Sequence, residues 1–285
     1  MNIEVMFEKP HSLWNVLLVF EKFFIWFKDN YPEHNINFRN SDPEQRGNPS
    51  GPNSPHVMVI RNLDNLKYII VSYWDRAYEL TWPGCGWDIE NRVDMVTSSG
   101  VHYPMDFTPF SYLSYSRDFE QIASIERIPF DKKENNYLFF RGYLYHHRKI
   151  MQNHFPEYFT EERKNSFDLF KEFNENKINL SLDGAAEICH RDIEIISSGS
   201  VLLRPELNQV FHEPLIPDYH YISVPKDNNP ITQFKLLLEK YEEVKNNDEL
   251  LSRIANNGYE WYERNGTVQS NVNILKKIIN LGKLV

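Results

Sequence analysis

Three short strand-like runs, Ile178–Leu182, Ser200–Leu203 and His220–Val224, follow one another within residues 178–224. The first two are joined by a segment of helical length that opens on Gly184-Ala185-Ala186 and closes on Gly199. Strands that alternate with helical segments suggest a sheet with parallel strands, because parallel neighbours need a crossover connection of helical length. This strand–turn–helix–strand unit therefore commits the region to an α/β layer. The small residues at Gly184-Ala185-Ala186 let a ligand come close to the backbone, Arg191 sits two turns into the helix, and Gly199 stops it. A turn of this kind at the carboxyl end of a strand suits an anion, through helix N-terminal amides and a forked guanidinium. The competing reading is that the unit is purely architectural, as such turns are in many α/β domains.

A chain of 285 residues accommodates two modest domains, each with its own core. The net charge of −9 argues against broad electrostatic binding to nucleic acid or to an anionic membrane, while leaving room for a local basic pocket. Cys85 and Cys189 are the two cysteines, and both are expected to be reduced. Leu13–Phe27 is apolar but carries Glu21 and Lys22, so a buried helix is expected there rather than a membrane span. A membrane-surface helix is the alternative. The first residues include Glu4 and Glu8 and do not read as a secretory signal. Cytoplasmic location, in a bacterial or virus-infected cell, is the expectation, and the sequons at Asn179 and Asn265 are taken as chance.

Strands are expected at Asn2–Met6, His56–Arg61, Tyr68–Tyr73, Arg92–Thr97 and Ile122–Ile128. Residues 41–55, rich in Pro, Gly, Asn and Ser, form a surface loop. The polar run 131–136 is the expected linker. Beyond it, helices are expected around His147–His154, Glu161–Asn174, Thr232–Lys245, Asn247–Arg264 and Val268–Ile279.

The ordered set of motifs in the second half resembles glycosyltransferase family 90, the capsule-associated and protein O-glucosyl- and O-xylosyltransferases. Phe140-Arg141-Gly142 with Arg148 is similar to the family's FRG-plus-Arg element. Gly184-Ala185-Ala186, Arg191, Gly199-Ser200-Val201 and His220-Tyr221-Ile222 with Val224 follow in family order, as do Asn247-Asp248-Glu249, Ala255 and Gly258. The likeness spans roughly residues 138–262. The Gly-Ala-Ala falls a residue or two from its family position when Arg191 and Gly199 are matched. The resemblance implies an α/β GT-B architecture with two Rossmann-like domains facing across a cleft. Residues 1–132 would form the acceptor side and 133–265 the nucleotide-sugar side, with a C-terminal helix at about 266–285 packing back on the first domain.

The implied reaction is an inverting transfer of glucose or xylose from a UDP-sugar to a hydroxyl of a glycan acceptor. It needs a base for the acceptor hydroxyl, positive charge for the departing diphosphate and a pocket that aligns the attack. The sequence contains no Asp-x-Asp pair, so neither metal nor cofactor is expected. Arg141 with Gly142, Arg191 and helix-terminal amides are expected to hold the diphosphate, with Arg148 as a further candidate. For the base, Asp75 directly follows the strand Tyr68–Tyr73, where active-site carboxylates of α/β proteins sit. Asp106 is the alternative, and simple pairing of Asp75 with Arg76 is the competing reading. Tyr73, Trp74 and Tyr78 could form an acceptor platform.

Gly184, Glu194, Arg204, Tyr219 and Tyr221 complete the expected donor contacts, with core packing an equal reading for the two tyrosines. Asp183 could cap the helix. Glu187 and Glu194 lie two helical turns apart on one face, which leaves open a retaining transferase. A non-catalytic nucleotide-sugar- or glycan-binding protein is the alternative from another class. Neither a nucleic-acid partner nor a membrane span is expected.

Overall fold

A computed structural model describes residues 2–7, 28–29, 32–33, 35–40, 57–62, 64, 68–72, 92–97, 107–109, 124–134, 137–144, 146–160, 162, 164–183, 190–207, 213–267 and 270. The chain divides into two compact units, one of residues 1–116, 209–212 and 268–285, the other of residues 117–208 and 213–267.

The first unit carries a six-stranded sheet formed by β1 (Asn2–Phe7), β2 (Asn35–Asn40), β3 (Val57–Asn62), β4 (Tyr68–Ser72), β5 (Arg92–Thr97) and β6 (Phe107–Pro109), in the order β2-β1-β3-β4-β5-β6. The sheet is mixed rather than parallel throughout. β3 pairs antiparallel with both β1 and β4, while β1–β2, β4–β5 and β5–β6 are parallel. The connection from Asn62 to Tyr68 is too short for a helical crossover, so β3 and β4 form a hairpin. β2 and β6 were not expected, because NINFRN and FTP lack the apolar runs that mark buried strands.

In the second unit the central layer is the parallel sheet β11-β10-β9, made of β9 (Ile178–Leu180), β10 (Val201–Pro205) and β11 (Ile222–Val224). A smaller parallel pair joins β7 (Phe140–Arg141) to β8 (Phe159–Thr160). The helices are α1 (His146–His154), α2 (Ser166–Glu175), α3 (His190–Ser197), α4 (Pro230–Val244) and α5 (Asp248–Asn265). β10 is buried along its whole length, which is why it reads as a continuous apolar run broken only by Arg204. Ile178, Leu180, Val201, Leu203, Ile222 and Val224 pack with Phe234, Leu237 and Tyr241 of α4 and Leu251, Ile254 and Ala255 of α5. Each such aliphatic side chain contributes about 1.5–3 kcal/mol by leaving water.

Local chemistry sets the helix ends. Gly199 adopts φ +69°, its N–H bonds to Ile196 O at 3.0 Å, and Ser200 N–H reaches Ile195 O at 3.4 Å. This is a Schellman stop, which favours glycine because a Cβ is strained in that conformation. Asn229 accepts from the N–H groups of Ile231 and Thr232, and Pro230 occupies the first turn where no N–H is needed. Likewise Asn165 accepts from Asp168 N–H at 2.8 Å, so α2 begins at Ser166 and not at Glu161 as expected.

Two further expectations are corrected. Residues 124–129 are not a strand, because Asn174 supplies their backbone partner from its side chain. Its Oδ1 accepts from Ile128 N–H at 3.0 Å and its Nδ2 donates to Glu126 O at 2.9 Å. The polar run 131–136 lies within the second unit, where Lys133 is buried against Asn174 and Ser198. The expected helices at Leu13–Phe27 and Val268–Ile279 and the loop 41–55 lie outside the described residues, except Ser270. Among the described residues no helix is long and apolar enough to cross a membrane.

Candidate functional site

The carboxyl ends of β9, β10 and β11 lead into Ser181–Asp183, Glu206–Leu207 and Pro225–Lys226, the edge at which ligands bind in open parallel sheets. The exit of β9 is held from several sides. Arg148, buried on α1, donates from Nη2 to Leu182 O at 2.6 Å and from Nη1 to Tyr143 O at 2.8 Å. His147 Nε2 lies 2.8 Å from Asp183 O. Arg204, fully buried on β10, reaches Asp183 Oδ1 at 2.7 Å and Asp192 Oδ2 at 2.6 Å, and its Nε donates to Pro205 O at 3.0 Å. The other oxygen of Asp183 meets Lys226 Nζ at 3.4 Å.

The Arg204 network explains a conflict in α3. That helix is buried on nearly every side, with Ile193, Ile195 and Ile196 in the core, yet it carries Asp192 at 0% exposure. A buried carboxylate is tolerated only with a charged, hydrogen-bonded partner, and Arg204 provides one. Glu194 is buried on the same helix.

Beside the β9 exit, Phe140 sits under two guanidinium groups, Arg191 with Cζ 4.4 Å and Arg148 with Cζ 4.9 Å from the ring centroid. Each such contact contributes about 0.5–2 kcal/mol. Gly142 lies against Arg191 so closely that a Cβ there would overlap the guanidinium. The FRG element and Arg191, separated in sequence by α1, β8, α2 and β9, thus form one cluster.

The remaining expected residues are placed differently. Arg141 directs Nε and Nη2 to Glu172 Oε1 at 3.3 and 3.2 Å, and Nη1 to Glu162 and to Thr160 Oγ1. Lys164 pairs with the same Glu172. Tyr221 is buried, its hydroxyl accepts from Leu207 N–H at 3.2 Å, and burial pushes its pKa up. Tyr219 is half exposed and edge-on to His220. His220 is structural. Its Nδ1 accepts from Ile216 N–H at 2.9 Å, which puts the ring proton on Nε2, and burial lowers its pKa. Asp75, Asp106, Tyr73, Trp74, Tyr78, Gly184 and Glu187 lie outside the described residues.

Lys226 and His147 were missed by the sequence reading. Lys226 carried a usable signal, since it follows β11 by two residues and so lies at the carboxyl edge. His147 carried none beyond its position on α1. Two open grooves lie among the described residues, and the second reaches the carboxyl edge at Glu206, Val224 and Pro225. One runs along α2 and is lined by Glu162, Asp168, Glu172 and Glu175 with Lys164 and Lys171. The other, lined by Glu206, Asp218, Glu239 and Glu243 with Lys240, borders β11 and α4. Their predominantly acidic linings disfavour a diphosphate.

No protein-family model matches the chain, and no curated protein matches it. Among solved structures, the chain is similar to an alpha-glucosyltransferase in complex with UDP-glucose and DNA containing an abasic site. The TM-score is 0.53 at 8% identity, over 98% of this chain and 100% of that one. The chain therefore shares a mixed α/β fold with parallel strands with a glycosyltransferase.

Proposed function

We propose that the protein is a GT-B glycosyltransferase, related to glycosyltransferase family 90, that transfers glucose or xylose from a UDP-sugar to a glycan hydroxyl. The observation that carries this reading is the joining of Gly142, Phe140, Arg148 and Arg191 into one basic cluster beside the β9 exit. Fold likeness to a UDP-glucose-bound glucosyltransferase supports it. In this reading the second unit, residues 117–208 and 213–267, holds the donor and the first unit presents the acceptor.

Arg191 and the backbone amides near Gly184 neutralise the departing diphosphate without a metal. Arg141 contributes less, because its guanidinium is committed to Glu172 and Glu162. Asp75, or Asp106 in its place, removes the proton of the acceptor hydroxyl as it attacks the anomeric carbon on the face opposite the diphosphate. Tyr73, Trp74 and Tyr78 stack on the acceptor.

A retaining transfer is the second reading. The neighbour is an alpha-glucosyltransferase, and an α product from α-linked UDP-glucose keeps its configuration. The burial of Glu194 on α3 weighs against a Glu187/Glu194 pair that contacts the sugar. The neighbour's DNA makes nucleic acid an acceptor class to include in an assay, against which stands this chain's net charge of −9.

The deciding experiment is UDP release from UDP-glucose and UDP-xylose with panels of glycans and DNA, with and without EDTA, followed by NMR of the product anomer. Release that survives EDTA with a β product supports the proposal. An α product replaces it by the retaining reading. Binding of UDP-sugars without turnover makes the chain a binding protein.

A further inference from the structure

We infer that the open side of residues 137–141, together with the groove along α2, binds a neutral oligosaccharide. The inference rests on the glycosyltransferase reading above only for the class of ligand, and adds a site to it. Burial alternates along these residues. Leu138 and Phe140 are buried in the core, and Phe140 carries Arg148 and Arg191 on its ring. The alternate residues Tyr137, Phe139 and Arg141 are exposed or half-buried. The ring of Tyr137, half exposed, is stacked on Phe139 with centroids 5.2 Å apart and planes at 28°. The Arg141 guanidinium closes the row, with Cζ 5.7 Å from the Phe139 centroid. A stacked aromatic pair on the solvent side is apolar surface that the core leaves uncovered, and such surface marks a place where something else binds.

Arg141 joins this row to the groove. Its Nε and Nη2 reach Glu172 and its Nη1 reaches Glu162, and both carboxylates line the groove. Lys164, Asp168, Lys171 and Glu175 complete the charged lining of a space of about 390 Å³. That volume falls within the range of about 300–1,000 Å³ usual for small-molecule sites. Counting Arg141, three cations face four carboxylates, so neither a polyanion nor a polycation meets a field of one sign. A sugar suits both parts of the surface. Its hydroxyls donate to carboxylates and accept from ammonium groups, and the C–H face of its ring is an apolar surface for an aromatic side chain. The polar groups are held in place beforehand, which lowers the cost of binding. Asn165 donates to Asp168 Oδ2 at 2.8 Å, Glu172 pairs with Arg141 and Lys164, and Lys171 Nζ lies 4.2 Å from the Phe167 ring centroid.

Titration calorimetry of the full chain with maltohexaose, laminarihexaose and xylohexaose tests the site, with hexalysine as the charged control and UDP titrated in parallel. At least one of the three sugars should bind. Tyr137→Ala should weaken it by about 3–10-fold, as expected for loss of one aromatic contact, and Tyr137→Trp should retain it. Lys171→Ala should weaken it as well. All three variants should keep the melting temperature and the UDP affinity of the wild type. Binding of none of the sugars, or binding that Tyr137→Ala leaves unchanged, overturns the inference, and the UDP titration then decides the donor reading separately. Hexalysine binding in place of the sugars overturns it too, by making the groove a cation-binding face. Sugar binding that depends on Tyr137 in a chain that does not bind UDP keeps this site and removes the transferase reading.

Discussion

Gly142 and Arg191 are in direct contact, the glycine leaving the space that the guanidinium occupies over Phe140. The contact gives a physical reason for glycine after Phe140-Arg141, since any larger residue competes with the arginine for one volume. Gly142→Ala should displace the Arg191 guanidinium, whose far end can move, and so lower stability by only about 1 kcal/mol. UDP affinity should fall much more, toward that of Arg191→Ala. Parallel melting curves and UDP titrations check this. A Gly142→Ala protein that keeps full UDP affinity separates Arg191 from the donor site.

Arg204 is needed for folding as well as for charge. Arg204→Met strands the Asp192 carboxylate at 0% exposure and should cost about 3–5 kcal/mol in urea unfolding. Adding Asp192→Asn should recover much of that loss, because a neutral amide is cheaper to bury. If the single variant loses less than about 1 kcal/mol, the buried pair is not the anchor of α3.

Gly258 lets α5 approach the turn before β11, where a Cβ would stand 2.7 Å from His220 O. The obstacle is backbone and cannot swing aside. Gly258→Ala should destabilise by about 1–3 kcal/mol even though alanine is the better helix former. Gly199→Ala should cost at least about 1 kcal/mol for a different reason, the left-handed φ of +69°. Denaturant midpoints with unchanged slopes would confirm that both act on the native state.

Lys133 makes stability depend on pH. Its Nζ donates to Asn174 O at 2.6 Å and Ser198 O at 3.1 Å, near the ends of α2 and α3. Burial, and then the nearby charge of Arg127, lowers its pKa from the ordinary 10.5 to about 7. Between those values the unfolded chain holds a proton that the native chain has released, so stability should rise as pH climbs from about 7 toward 10.5. His220 acts in the same direction lower down. Its pKa is depressed below the ordinary 6.5, so its contribution is present above that pH and is lost as pH falls through the depressed value. Urea midpoints at pH 6, 8 and 10 should show the upward trend in wild type and a flatter one in Lys133→Met. Equal slopes in the two proteins would remove Lys133 as the cause.

Asp75 carries the proposed base. Asp75→Ala should lower turnover by about 10²–10⁴-fold with UDP affinity unchanged. If Asp106→Ala does this instead, the base lies after the strand Arg92–Thr97 and not after Tyr68–Ser72.

The sequence by itself determined the local elements of the donor half. Ile178–Leu182 and Ser200–Leu203 became β9 and β10 because their apolar runs have no alternative to burial. Gly199 ended α3 because its φ strains any residue with a Cβ. Arg92–Thr97 formed β5 over the expected residues. The sheet partners were less legible. The polar strand Asn35–Asn40 is recruited by pairing with β1, and the region before Pro129 was denied a strand by the side chain of Asn174. At the candidate site, only the tertiary structure decided how the arginines divide their work. Arg141, Arg148, Arg191 and Arg204 carry the same group, and nothing local tells them apart. The fold gives Arg141 to Glu172, Arg148 to the carbonyls of Tyr143 and Leu182, Arg191 to the face of Phe140 and Arg204 to Asp192 and Asp183. The physical reason is that a buried charge takes the partner that the packing brings to it, and that partner lies far away in sequence.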